Sequence, residues 1–257
     1  MSSEHWGGRP RDWAELAEPS NHPLFERVLD RLNVAPGTRL LDVGCGSGYA
    51  LRLAHEGGAT VTGLDITPEL LAIARERVPA AMLAQAGMDD LPFTDDAFDA
   101  VVGFNAFPFA DDPSAAVAEA ARVVAPGGLV AATTFAEPDR NESTALHLAL
   151  DPLRAVRSGG GAHLPYALSA PGGLERLLSR AGLEPAGSGE VPLVWAHDDV
   201  DGAVRAVLAS GGGAMAIEAS GETAARAALT EAVAPFVRPG GRVEMHNVFR
   251  YAVARRP

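Results

Sequence analysis

The first part of the chain alternates short apolar runs with segments of helical spacing. Residues 40–43, apolar apart from Asp42, are typical of a strand buried on both faces, and apolar residues at helical spacing follow at once. Residues 60–65 form a second such run, and a second helical pattern follows it with Leu70, Leu71, Ala74 and Val78. Strands that alternate with helices predict an α/β fold.

Later segments continue this pattern less regularly. Further strands are predicted at residues 81–85, 99–103, 129–135, 191–195 and 242–254. Helices are predicted from Asn21 or His22, after Asp112, and over residues 146–156 and 174–181, with two or three more within 200–234. No internal repeat interrupts the chain, so a single domain is expected.

A glycine-rich turn joins the first strand to its helix. Gly44, Gly46 and Gly48 stand where the strand ends, and a glycine turn lets backbone approach a ligand because no Cβ intervenes. The following helix start offers unpaired N–H groups and a positive dipole end. A dinucleotide turn would need glycine at position 49, where Tyr49 stands, and a phosphate-binding P-loop would need a lysine, which the chain lacks.

An acidic residue ends the second strand. Asp65 lies about 20 residues beyond the glycine turn, the place where an acidic side chain holds a ribose diol. A carboxylate only accepts hydrogen bonds, so it can take both hydroxyl protons of the diol. The alternative is a carboxylate that stabilises the start of the helix at Thr67 and Pro68. The glycine turn upstream favours the ribose interpretation.

These motifs resemble a known enzyme family. The glycine turn with Asp42 is similar to motif I of the class I S-adenosylmethionine-dependent methyltransferases, and two further segments, 91–102 and 122–128, resemble the family's "LPF…FD-V-V" and "RVLKPGG" passages. The resemblance covers residues 37–135 and is nearest to the small-molecule enzymes of ubiquinone and menaquinone biosynthesis. It implies a Rossmann-like seven-stranded sheet with the last strand antiparallel, helices on both faces, and a helical cap inserted between strands six and seven.

The resemblance also divides the chain into functional segments. It implies one methyltransferase domain made of an N-terminal helical flap (1–35), a cofactor-binding core (36–135), acceptor-side helices and a cap (136–240), and a terminal strand (241–257). Residues 1–20 contain Trp6 and Trp13, which are costly to expose. They are interpreted either as a flap over the cofactor or as a terminal helix docked on the core.

S-adenosylmethionine is the cofactor that the resemblance implies. It would lie over the turn from Gly44 through Cys45 and Gly46 to Gly48, with Asp42 orienting the turn or receiving the ammonium group. Asp65 would hold the ribose. The family's adenine-binding aspartate falls on Gly87, so either Asp89 or the backbone around Met88 would read the base. The remaining contacts would come from Ile66 and Leu70 at the adenine, and from Asn105 and Ala106 at the methionine end.

The acceptor would lie beside the fourth strand. Residues 104–109 contain three phenylalanines at the sheet edge that should face both cofactor and acceptor, so an apolar pocket is expected from Phe107 and Phe109, together with Trp13 and Trp195. A neighbouring group often has two histidines where Pro108 and Phe109 stand, so no metal is predicted.

A general base is needed only if the acceptor atom is protonated at neutral pH. The candidates considered are His22 and His197 along with three preferred ones: His163, Tyr166 and, third, His246. His163 and Tyr166 are preferred because their loop should approach the mouth of the site. Each histidine has the alternative of a surface or structural role.

Composition narrows the function. A formal net charge of −12 disfavours a nonspecific nucleic-acid partner, and the single cysteine, Cys45, excludes an intramolecular disulfide. No apolar run approaches a membrane span or a signal core, so a cytoplasmic location is expected. The predicted function is methyl transfer from S-adenosylmethionine to an O, N or C atom of a small, mostly apolar molecule. The alternative is a cofactor-binding protein without methyl transfer, such as a cyclase or regulatory module.

Overall fold

One mixed sheet forms the centre of the computed structural model, which describes residues 3–158 and 166–257. Within those residues seven strands lie in the order β3-β2-β1-β4-β5-β7-β6. Their bounds are β1 Arg39–Val43, β2 Thr60–Asp65, β3 Met82–Gln85, β4 Phe98–Gly103, β5 Val124–Phe135, β6 Glu184–His197 and β7 Val243–Arg255. His163 and the other residues of 159–165 lie outside the described residues.

The strand directions confirm the predicted fold class. Strands β1 to β5 pair in parallel, whereas β7 is antiparallel to both β5 and β6. Two strands are longer than predicted: β5 begins at Val124 and β6 at Glu184. Residues 184–190 are mostly exposed along the sheet edge, so they carry no apolar pattern that the sequence could reveal.

Helices cover both faces of the sheet. The described helices are α1 Ser3–Gly7, α2 Pro10–Asp12, α3 His22–Arg31, α4 Tyr49–Glu56, α5 Pro68–Arg77, α6 Pro113–Val123, α7 Thr144–Ser158, α8 Gly173–Arg180, α9 Val200–Leu208, α10 Gly211–Ser220 and α11 Glu222–Val233. Buried side chains of α3 and α4 pack on one face, and those of α6 and α8 pack on the other. None of these helices combines the length and apolar character needed to cross a membrane.

The predicted cap has its own apolar core. Helices α9 to α11, inserted between β6 and β7, pack around buried residues such as Val204 and Leu229. Helix α7 joins this core through Leu146 and Leu150, although it precedes β6 in the chain. The cap is therefore built from two separate stretches of sequence.

The N-terminal segment, residues 3–21, connects the core to this cap. Arg9 pairs with Glu222 at 2.8 Å and Asp12 with Arg205 at 2.5 Å, both on cap helices. On the other side Arg11 pairs with Glu76 of α5 at 2.8 Å. The segment consists of short helical turns rather than one docked helix, and it contacts both parts of the fold.

Two adjacent glycines in α10 test the packing of the cap. A Cβ on Gly213 would lie 2.6 Å from the Leu208 Cα and also against the Val207 carbonyl, whereas a Cβ on Gly212 would meet the flexible end of Arg154 at 3.0 Å. We expect Gly213→Ala to lower the free energy of unfolding by about 1–3 kcal/mol, because backbone cannot yield easily.

Gly212→Ala is the matched control, since it adds the same methyl group one residue away. It should be neutral or raise the free energy of unfolding by up to about 1 kcal/mol through helix propensity. Urea denaturation of both variants measures the difference. Equal values for the two variants would contradict the packing described for α10.

Candidate functional site

The site lies at the carboxyl end of β1. The connection after β1 crosses to one face of the sheet, and the connection after the neighbouring β4 crosses to the other. Strand β1 pairs with β2 on one side and β4 on the other, so a crevice opens beyond its carboxyl end. A cavity of about 240 Å³ occupies this crevice. It is bordered by the glycine turn, the ends of β2 and β4, the N-terminal segment and the cap.

The glycine turn is held tightly by its neighbours. Gly44, Gly46 and Gly48 all have positive φ angles, which glycine adopts without strain. The N–H groups of Gly44 and Cys45 both donate to the Leu64 carbonyl, at 2.7 and 2.9 Å. A Cβ on Gly44 would lie 2.6 Å from the Ala106 Cβ, so a larger residue would push the turn away from the segment after β4.

Asp65 lies in the crevice, at the end of β2. Its Oδ2 accepts from the Gly46 N–H at 2.9 Å, and its Oδ1 accepts from the Thr67 N–H at 2.9 Å. It therefore links the glycine turn to the start of α5. Burial raises the pKa of the Asp65 carboxyl above its ordinary value, and these backbone hydrogen bonds oppose that rise.

Glu18 of the N-terminal segment is a site residue that the sequence analysis missed. Its side chain is buried and accepts from the Ser47 N–H at 2.9 Å, from the Ser47 hydroxyl, from the Trp13 indole at 3.1 Å and from Arg77 at 2.7 Å. Burial raises the pKa of Glu18, against the lowering effect of Ser47 and Arg77. In the sequence, only Trp6 and Trp13 indicated that this segment packs against the rest of the protein.

Glu18 also changes the interpretation of Gly46. A Cβ on Gly46 would lie 2.7 Å from the Glu18 Oε1 and 3.4 Å from the Trp13 Nε1. The space beside this Cα is therefore taken by protein groups and is not left open for a ligand. Gly46 still borders the cavity through the rest of its backbone.

Asp42 completes a cluster of three buried or partly buried carboxyl groups, Glu18, Asp42 and Asp65, which we call the carboxyl cluster. Asp42 is buried, and its Oδ1 has no hydrogen-bond partner among the described residues. Burial, followed by the charges of Glu18 and Asp65, raises the pKa of Asp42 well above its ordinary value. A cation placed beside the cluster would stabilise the ionised carboxylates.

Comparison with known proteins agrees with this geometry. A family model described as a methyltransferase domain matches residues 41–132. The malonyl-[acyl-carrier protein] O-methyltransferase of Serratia marcescens is 38% identical over 122 residues, which are 48% of each chain. The chain spans about half the length of the curated relatives it matches.

Solved structures share the fold. A SAM-dependent methyltransferase from Aquifex aeolicus aligns with a TM-score of 0.53 at 21% identity, covering 71% of this chain and 92% of its own. The [4+2]-cyclase SpnF aligns with a TM-score of 0.58 at 23% identity, covering 91% of this chain and 80% of its own. Residues 41–132 therefore carry a methyltransferase domain similar to that of the class I S-adenosylmethionine-dependent enzymes. The resemblance predicted from the sequence is thereby confirmed.

S-adenosylmethionine is the cofactor that these similarities imply, and the residues that border the cavity fit it. The carboxyl cluster, with the orphaned Asp42 Oδ1, suits a ligand that carries an ammonium and a sulfonium charge. Ile66, Leu70 and Met88 border the same cavity and suit an apolar base. Gly44, Cys45, Asn105 and Ala106 border it as well, whereas Gly48 does not and instead packs against Ala74.

Two predicted cofactor contacts depend on details of the loops. Asp89 is exposed and does not border the cavity, so the proposed shift of this loop toward the adenine is not seen. Asn105 has a positive φ of 51°, and its side-chain oxygen accepts from the Thr133 hydroxyl at 3.1 Å. Its backbone N–H donates to the same hydroxyl at 2.8 Å, which holds this residue at the end of β4.

The predicted acceptor residues divide into two groups. Trp13, Phe109 and Trp195 border the cavity as expected. Phe107 does not, and the expectation for it was wrong: its side chain is fully buried in the core under the sheet, where a Cβ on Gly103 would lie 2.6 Å from the ring. A short 3₁₀ turn over Phe107–Phe109 sends the two phenylalanines in different directions.

The two preferred base candidates that the structure describes, Tyr166 and His246, do not border the cavity. His163 lies outside the described residues. His246 is exposed on β7, and Tyr166 is buried with its hydroxyl 2.7 Å from the Thr144 hydroxyl. Neither borders the cavity, so both expectations are corrected. Packing between distant elements decides whether the side chains of Tyr166 and His246 face the cavity. The local sequence around these residues therefore does not show it.

Of the two other histidines considered, one borders the cavity. His197, at the end of β6, borders it, whereas His22 is partly exposed and lies 3.2 Å from Glu26. The sequence analysis also missed His147 of α7, which borders the cavity. Within residues 3–158 and 166–257, no group of three or more His, Cys, Asp or Glu side chains could hold a metal ion.

The bridging position of Asp65 predicts its effect on cofactor binding. We expect Asp65→Ala to weaken S-adenosylmethionine binding by about 1.5–3 kcal/mol, the range for a hydrogen bond to a charged group. Isothermal titration calorimetry measures the change. Asp89→Ala removes an exposed carboxylate of the same kind and should leave the affinity unchanged. An unaltered dissociation constant in Asp65→Ala would remove this residue from the site.

The raised carboxyl pKa values predict a pH dependence. The folded protein retains protons on Asp42 and Asp65 at a pH where the unfolded chain has released them, so their contribution to stability is lost as the pH rises through the raised values. A bound cation favours the ionised forms, so cofactor binding should release protons and should strengthen as the pH rises toward the raised pKa values of Asp42 and Asp65.

Calorimetry in two buffers of different ionisation enthalpy counts the released protons. Asp42→Asn should release fewer protons than the native protein, because an amide has no proton to lose. Asp89→Asn serves as the exposed control and should match the native protein. Affinity that is independent of pH in the native protein would show that the carboxyl cluster does not face the cofactor's charges.

Proposed function

We propose that this protein transfers the methyl group of S-adenosylmethionine to an O, N or C atom of a small, mostly apolar molecule. One observation carries the proposal: a single cavity extends from the glycine turn and Asp65 to a chamber of aromatic side chains under the cap. A cofactor held at the first end would present its reactive group to an acceptor held at the second.

The chemistry of the cofactor leaves a limited task for the protein. S-adenosylmethionine, when bound, supplies an electrophilic methyl group on a positively charged sulfur. The residues of this chain would then align the acceptor and exclude water. Trp13 and Phe109 close the cavity near the glycine turn, and Trp6 packs between them with ring centroids 5.1 and 5.8 Å away. The N-terminal segment, proposed as a flap, thereby shields the site.

The acceptor end supports an apolar substrate. We define the acceptor chamber by Phe104, Phe135, Trp195, Ala206 and Val207, all of which border the cavity. Arg154 also borders it, but its side chain is paired with Asp151. Such a chamber favours an uncharged molecule, because a charged group would lose hydration without gaining an opposite charge. We also propose that the whole chain acts as one domain, with the segment boundaries given above.

A second candidate is a cofactor-binding protein that catalyses no methyl transfer. The observation that favours this second candidate is the similarity of the fold to that of the [4+2]-cyclase SpnF. The carboxyl cluster and the glycine turn would serve both functions, so they do not separate the two. The distinction lies in whether an acceptor atom in the chamber receives the methyl group.

The decisive experiment uses S-adenosylmethionine with an isotopically labelled methyl group. Purified protein is incubated with this cofactor and a panel of naphthols, hydroquinones, aromatic amines and fatty acids. We expect label to enter at least one acceptor together with S-adenosylhomocysteine formation, and Asp65→Ala to slow this at low cofactor concentration. Asp89→Ala is again the control. Tight cofactor binding without label transfer to any acceptor, including a metabolite extract, would favour the second candidate.

A further inference from the structure

The acceptor chamber is organised around one phenylalanine at the carboxyl end of β5. The ring of Phe135 lies 5.8 Å from His147, 5.4 Å from Tyr166, 5.9 Å from Trp195 and 4.2 Å from Phe249, measured between ring centroids. Phe135, His147 and Trp195 border the cavity, while Tyr166 and Phe249 pack behind them. The result is a wall of flat rings with one imidazole in it.

His147 is the unusual member of this wall. Its Nε2 is buried and has no hydrogen-bond partner among the residues that the structure describes. Burial, followed by the positive charge of Arg154, lowers the pKa of His147 to about 4. The ring is therefore neutral at pH 7 and has one nitrogen lone pair free to accept a hydrogen bond.

Two other polar side chains around the chamber have hydrogen-bond partners. The Ser210 hydroxyl donates to the Val207 carbonyl at 2.7 Å, and the Trp195 indole donates to Asn21 at 3.4 Å. Tyr166 is engaged with Thr144, as described above. His197 also borders the cavity: burial lowers its pKa, and the charges of Asp198 and Asp199 oppose that effect.

A buried polar group without a partner costs stability, so it needs an explanation, and a ligand that satisfies it is one. In an apolar pocket such a group also gives strong selection, because a ligand that lacks the matching donor leaves it unsatisfied. An acceptor that fills this chamber should therefore carry one hydrogen-bond donor on an otherwise flat, apolar body.

We propose that the imidazole of His147 accepts a hydrogen bond from a hydroxyl group of a flat, uncharged aromatic acceptor. This inference rests on the proposed methyl transfer, which it extends by naming the acceptor class. His147 acts here as a substrate-binding residue. Its neutral state suits it to hold the hydroxyl in one orientation, and the aromatic wall holds the ring that bears it.

The test compares two probes that differ in one hydroxyl group, 1-naphthol and naphthalene. Their binding to the protein saturated with S-adenosylhomocysteine is followed by quenching of tryptophan fluorescence. We expect 1-naphthol to bind the native protein about 10-fold more tightly than naphthalene, the effect of one hydrogen bond. In His147→Phe this preference should fall to about one, while naphthalene affinity is maintained. His55→Phe, at an exposed position on α4, should retain the full preference.

A second measurement does not depend on a variant that folds. In native protein labelled with ¹⁵N-histidine, 1-naphthol should shift an imidazole nitrogen resonance of His147, and naphthalene should not. Equal affinity for the two probes in the native protein, failure of both to bind, or a preference that survives in His147→Phe would each overturn the inference. S-adenosylhomocysteine affinity and label transfer are measured on the same samples, so failure of the methyl-transfer proposal is recognised separately.

Discussion

Negative charge concentrated at one turn of the backbone is the constraint on which the site depends. Glu18, Asp42 and Asp65 converge on the turn from Gly44 to Gly48, and Arg77 forms an ion pair with Glu18 there. Burying carboxyl groups is costly unless they are hydrogen-bonded, protonated or paired with a cation. The turn meets part of this cost through its own N–H groups, which donate to Glu18 and Asp65. The rest of the cost remains at the Oδ1 of Asp42, which has no hydrogen-bond partner within residues 3–158 and 166–257.

The N-terminal segment connects the glycine turn to the cap helices. Glu18 and Trp13 contact the glycine turn, while Arg9 and Asp12 pair with the cap helices. Surface ion pairs contribute little individually, so the buried Glu18 contacts are the stronger attachment. The segment that covers the cofactor end is thus tied to the helices that cover the acceptor end.

Local patterns in the sequence placed the glycine turn and Asp65 together at the crevice. Asp65 and the glycine turn could be placed because a strand, a turn and a helix are continuous in sequence, and the carboxyl ends of parallel strands meet at one edge. The acceptor half was predicted less well. Phe107 was assigned to the cavity although its ring lies in the core, and Glu18 and His147 were overlooked. These residues come from segments that meet the site only through packing of distant elements.

The sequence by itself determined the α/β fold, the family and the residues at the ends of β1 and β2, because apolar periodicity and turn chemistry are local properties of the chain. Only the tertiary structure decided which side chains enclose the cavity. Whether His147 or His246 faces the cavity depends on how α7 packs with the other cap helices and how β7 packs beside them. This packing depends on contacts between residues about a hundred positions apart. Such contacts leave no period in the sequence, since each follows from the shape of the whole core.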